Sequence, residues 1–111
     1  MVTHIVFWKL IRDEAHDADA NAARIKEGLE ALVGIVPGLL TAEVGEGLKP
    51  DAEYDLCLLS TFESEEALRA YRTHPAHVAV ADFVHTAICK RTALDFENDG
   101  LIDGAVDPFV L

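Results

Sequence analysis

The sequence predicts one α+β subunit, a four-stranded antiparallel sheet with its helices on one face. Three observations predict it. Hydrophobic periodicity alternates between a repeat of two and a repeat near 3.6 in the order β-α-β-β-α-β. The 111 residues, half of them hydrophobic, suffice for one modest core and are too few for two. The first and third strands are apolar on both sides, so one helical layer leaves part of their surface bare.

The first strand is read from Thr3 to Ile11, a run of β-branched and aromatic residues with His4, Val6, Trp8 and Leu10 on one face and Ile5, Phe7 and Lys9 on the other. From Asp17 to Val36 the spacing of Ile25, Leu29, Leu32, Val33 and Val36 predicts a helix, with Arg24, Lys26, Glu27 and Glu30 on its polar side. Pro37-Gly38 ends it. Leu39 to Leu48 is a strand weakened by Gly45 and Gly47, followed by a turn at Lys49-Pro50-Asp51. Tyr54 to Phe62 is the third strand, and Ser64 then caps a helix whose first turn carries Glu65 and Glu66. Pro75 lacks the amide proton of an interior turn and pushes His74 out of the α region, so the helix breaks there and restarts toward Ala87. Ile88 to Phe96 alternates as the last strand.

This order is the ferredoxin-like pattern, and the bare sheet face calls for a second sheet, supplied by a partner copy in a homodimer. Residues 1–96 form the domain in this reading. Residues 97–111 are an acidic C-terminal arm that keeps Leu101, Ile102, Phe109, Val110 and Leu111 and is expected to dock.

Twenty acidic against nine basic residues give a formal charge of −11, which repels phosphate backbones and anionic membrane surfaces, so neither nucleic acid nor membrane is an expected partner. The longest uncharged apolar run, Ala31 to Ala42, is broken by Pro37 and falls short of the ~20 residues of a spanning helix. Met1-Val-Thr-His-Ile-Val has no basic region ahead of a cleavage site, and a cytoplasmic location is expected. Cys57 and Cys89 lack metal or redox spacing and are expected to be buried thiols.

The chemistry-bearing stretch is Tyr71-Arg-Thr-His-Pro-Ala-His77. On an unbroken helix six residues rotate a side chain by roughly 240°, which separates Tyr71 from His77. The break at Pro75 can bring them together beside the apolar Val78, Val80, Phe83 and Val84, as an acid/base pair or a hydrogen-bonded anchor for a small ligand. The alternative is structural, with His74 capping the helix that restarts at Pro75 and His77 packing.

These residues resemble a known family, the stress-responsive A/B barrel domain (Dabb). The resemblance runs from Thr3 to Phe96 through His4-Ile-Val-Phe-Trp-Lys, Val36-Pro-Gly-Leu39, Tyr54-Asp-Leu, Thr61-Phe-Glu-Ser64 and, most specifically, Tyr71 to His77. It implies two ferredoxin-like subunits whose sheets pack into a dimeric α+β barrel. Within the family the chain is distantly similar to the olivetolic acid cyclases, plant polyketide cyclases in which the Tyr and the last His of Tyr-x-x-His-Pro-x-His are catalytic. That similarity implies Tyr71 and His77 as the catalytic pair and His4 as a substrate-binding residue. Leu56 stands where those cyclases have another pocket histidine, and Lys26 and Leu29 where they have cavity-lining aromatics, so the pair carries over and the cyclase substrate does not. The segment recurs across the family whatever the activity and marks fold more strongly than reaction.

The remaining features carry less. Trp8 either roofs a ligand or belongs to the core, and the core is the ordinary place for an aromatic on a central strand. His74, His77 and His85 lack a converging third ligand, so no metal is expected. His16 lies among Asp13, Glu14 and Asp17 as a solvated titrating group. Gly45-Glu-Gly47 lacks the strand-to-helix setting of a phosphate loop, and no nucleotide or other cofactor is expected. Two functions stay open: a cofactor-independent enzyme acting on a small, polyketide-like carbonyl substrate, or a noncatalytic small-ligand-binding or stress-response dimer.

Overall fold

In the computed structural model, which describes residues 1–98, the chain runs β1 (Val2–Leu10), α1 (Ala18–Glu30), β2 (Leu39–Glu46), β3 (Leu56–Phe62), α2 (Glu65–Thr73), α3 (Pro75–Ala87) and β4 (Ile88–Glu97). The strands form one antiparallel sheet in the order β2-β3-β1-β4, the ferredoxin-like arrangement. Of the expected arm over 97–111, residues 99–111 lie outside the described residues. No helix among the described residues is long and apolar enough to cross a membrane.

The alternation of β1 decides the layering. Val2, His4, Val6, Trp8 and Leu10 point toward the helices and are buried, and Leu56, Leu58, Ser60 and Phe62 do the same from β3. The helices close this face with Ile25 and Leu29 from α1, Leu68 and Tyr71 from α2, and Val84 and Ala87 from α3. Trp8 is 5% exposed, a core side chain that also borders the cavity described below. On the other face Phe7, Leu59 and Leu94 stand exposed.

Each helix start is capped as its sequence dictates. Asp17 Oδ1 accepts from the Ala20 amide at 3.1 Å, Ser64 Oγ from Ala67 at 3.2 Å, and His74 Nδ1 from Ala76 at 3.1 Å, with Pro75 opening α3. At Gly38 φ is +82°, and a β-carbon there would lie 2.5 Å from the Ala67 β-carbon, so the turn into β2 and the seat of α2 both require glycine.

Three expectations are corrected. The first helix stops at Glu30 and not at Val36: the chain passes through turns with Gly34 at φ +89°, yet Leu32 and Val36 still enter the core, which reproduces helical spacing beyond the helix. The thiols are not buried within the subunit, Cys57 being half-buried and Cys89 exposed, because they sit on the outward side of β3 and on the edge strand β4. His16 is not a freely solvated group. Its Nδ1 meets Asp13 Oδ1 at 2.7 Å and its Nε2 meets the Thr86 carbonyl at 3.0 Å, tying the loop after β1 to the end of α3.

Candidate functional site

Tyr71 leaves the last turn of α2 and His77 the first turn of α3, and the corner at His74, with ψ of +131°, folds the two helices so that the rings meet. Their centroids are 4.0 Å apart at an interplanar angle of 36°. His4, inward on β1, lies edge-on to Tyr71 with centroids 6.4 Å apart, and Phe62 packs edge-on against Tyr71 at 5.0 Å. The three residues singled out in the sequence thus converge. They border one cavity of about 270 Å³ between the sheet and α3, with Val6, Trp8, Leu29, Leu58 and Val84 as its apolar lining.

The geometry fixes tautomers. Nδ1 of His77 lies 3.3 Å from the Arg72 carbonyl, an acceptor only, so the ring proton sits on Nδ1 and Nε2 carries the lone pair. Desolvation holds the His77 pKa below its ordinary 6.5, helped by the charges of His4, His85 and Arg72 and opposed by the hydrogen bond to the Arg72 carbonyl. Burial pushes the Tyr71 phenol up to about 12, so it remains a hydrogen-bond donor across the physiological range. The Tyr71 hydroxyl has no protein hydrogen-bond partner among the described residues. The site therefore pairs a neutral imidazole base with a protonated phenol.

One participant escaped the sequence reading. Asp95 on β4 is the register partner of His4, and its carboxylate accepts a hydrogen bond from His4 Nδ1 while its other oxygen accepts one from Arg72 Nη2 at 2.6 Å. Burial pushes Asp95 up, but the His4 hydrogen bond and the charges of His4 and Arg72 outweigh it and leave the carboxyl below 3.8. Asp95 thereby fixes the His4 ring with Nε2 as its free nitrogen. Knowing that β4 pairs with β1 in this register was the missing signal. Of the positions that differ from the plant cyclases, Leu29 lines the cavity, Leu56 is in the core, and Lys26 turns away to Glu30 at 2.6 Å and the Val44 carbonyl at 2.9 Å.

Residues 2–98 match the sequence profile of the Stress Responsive A/B Barrel Domain, Dabb. Among solved structures, a dimeric protein of unknown function with a ferredoxin-like fold from Bacteroides fragilis is 30% identical and aligns with 87% of this chain and 95% of its own, at a TM-score of 0.79. A Dabb family protein from Mesorhizobium loti is 21% identical over 87% and 95% of the two chains, with a TM-score of 0.69. Hydroxynitrile lyase from Passiflora edulis is 23% identical over 88% and 94%, with a TM-score of 0.72. At the latter two identities the likeness is one of fold. Among curated proteins none matches significantly.

Proposed function

Since this chain belongs to the stress-responsive A/B barrel domain family, we propose that it acts as a homodimer whose Tyr71–His77 pair performs cofactor-independent acid/base chemistry on a small, polyketide-like carbonyl compound. The observation that carries this proposal is the His77 ring, bordering a cavity with Nδ1 committed to a carbonyl and Nε2 left basic, 4.0 Å between centroids from a protonated phenol. Nε2 removes a proton α to the substrate carbonyl, and the Tyr71 hydroxyl donates to the enolate oxygen that develops. The enolate then attacks a second carbonyl of the same molecule, and the proton on His77 passes to the new alkoxide, closing an aldol-type cycle. His4, held by Asp95, orients the ligand from the sheet side.

Support for the dimer comes from the exposed Phe7, Leu59 and Leu94 on the sheet face away from the helices, together with the dimeric relative from Bacteroides fragilis. A noncatalytic ligand-binding dimer is the rival, favoured by the loss of cavity-lining aromatics at Lys26 and Leu29. The test is an intramolecular aldol-cyclisation panel of diketones with wild type, His77→Ala and Tyr71→Phe. A positioned base contributes about 10²–10⁴-fold, so His77→Ala should lose that much turnover while staying folded. Full turnover in both variants would eliminate the pair, and binding without turnover in the wild type would favour the rival.

A further inference from the structure

Arg91 gives this cavity a property that the Tyr71–His77 pair does not explain. It is the register partner of Trp8 on β4, so both side chains share the inward face, and Arg91 forms part of the cavity wall. Carboxylates outnumber cations by more than two to one in this chain, and Arg12, Lys26, Arg69, Arg72 and Lys90 each hold one. Arg91, an exposed side chain, holds none among the described residues; nor do Lys9, Arg24 and Lys49, but none of those three borders the cavity. The Arg91 guanidinium is an unspent, planar two-pronged donor over an apolar floor.

From these observations we infer that the ligand of this cavity is a carboxylate, its anionic end held by Arg91 and its carbonyl directed toward His77 and Tyr71. Arg91 lies four residues along β4 from Asp95, about 13 Å at the rise of an extended strand, so the anion and the reacting carbonyl occupy opposite ends of an elongated ligand. Asp82, exposed on α3 and also bordering the cavity, repels an anion beside it, and Arg72, the other guanidinium at the cavity, is already held by Asp95, which leaves Arg91 as the seat for the anion. The volume of about 270 Å³ is near the lower end for small-molecule sites and suits a keto acid of one ring or a short chain. This inference rests on the cavity being the ligand site proposed above.

The test is a titration of the full chain with 3-(4-acetylphenyl)propanoate, a one-ring keto acid with its carboxylate and ketone at opposite ends, and with its methyl ester, followed by the His77 imidazole NMR signals. The acid should bind about ten- to a hundredfold more tightly than the ester, the range of a charged hydrogen-bonded contact. Arg91→Leu should erase that preference without weakening the ester, and Arg91→Lys should keep part of it. Equal binding of acid and ester, or a preference surviving in Arg91→Leu, overturns the carboxylate while leaving the site in place. If neither compound perturbs His77, the cavity is not the ligand site and both proposals fall.

Discussion

Burial sets the protonation states that the proposed chemistry needs. His77 loses solvation and its pKa falls below 6.5, whereas Tyr71 loses solvation and rises to about 12; the same desolvation penalises imidazolium in one and phenolate in the other. The acid limb of kcat/KM, and the midpoint of the His77 NMR titration in the free protein, should therefore lie below pH 6.5. A midpoint at or above 6.5 would contradict the desolvated ring. The stability sign follows from the same shift. As pH falls, the unfolded imidazole is protonated first, so the unfolded state binds more protons, and the contribution of His77 is full above about 6.5 and declines through its lowered folded value. Asp95 acts in the same direction in more acidic solution, its contribution complete above its unfolded pKa and lost as pH falls through a value below 3.8. Asp95→Asn should flatten that acid limb of a stability-versus-pH curve and loosen His4, seen as broadened His4 imidazole signals.

At the level of elements, the corner between α2 and α3 and the turn into β2 do the positioning. Ser64→Ala removes the cap of α2 and should cost about 0.5–2 kcal/mol in urea unfolding. Gly38→Ala should cost more, about 2 kcal/mol or above, because the new β-carbon meets Ala67 and φ is +82°. Equal stability of the Gly38→Ala protein would mean that the turn relaxes freely. The break at Pro75 was legible in the sequence because proline imposes it locally, but it only allowed Tyr71 and His77 to meet; their contact is a fact of the fold. The end of α1 was not, since Leu32 and Val36 stay buried after the helix has stopped and so mimic its period. Asp95 and Arg91 were hidden for another reason. Their roles depend on which residues of β1 they oppose, His4 and Trp8, and cross-strand register is a tertiary fact that alternation within β4 does not encode.

For the whole molecule, one face of the sheet builds the site and the other bears the apolar surface. Leu59 is 46% and Leu94 63% exposed on that outer face, where a partner sheet would cover them. Leu59→Arg should convert the proposed homodimer to a monomer in light scattering at micromolar concentration, and a wild-type chain that is itself a stable monomer there would refute the paired sheets. The site's chemistry can be tested more directly than by any complete reaction, because proton abstraction leaves an isotopic trace. In deuterium oxide, 3-(4-acetylphenyl)propanoate and its methyl ester should exchange the acetyl protons α to the ketone faster with the wild-type protein than with buffer alone. His77→Ala should lower that rate by about 10²–10⁴-fold, with Tyr71→Phe in between. Exchange no faster in wild type than in His77→Ala, from a protein that binds either compound, would contradict the assignment of His77 as the base.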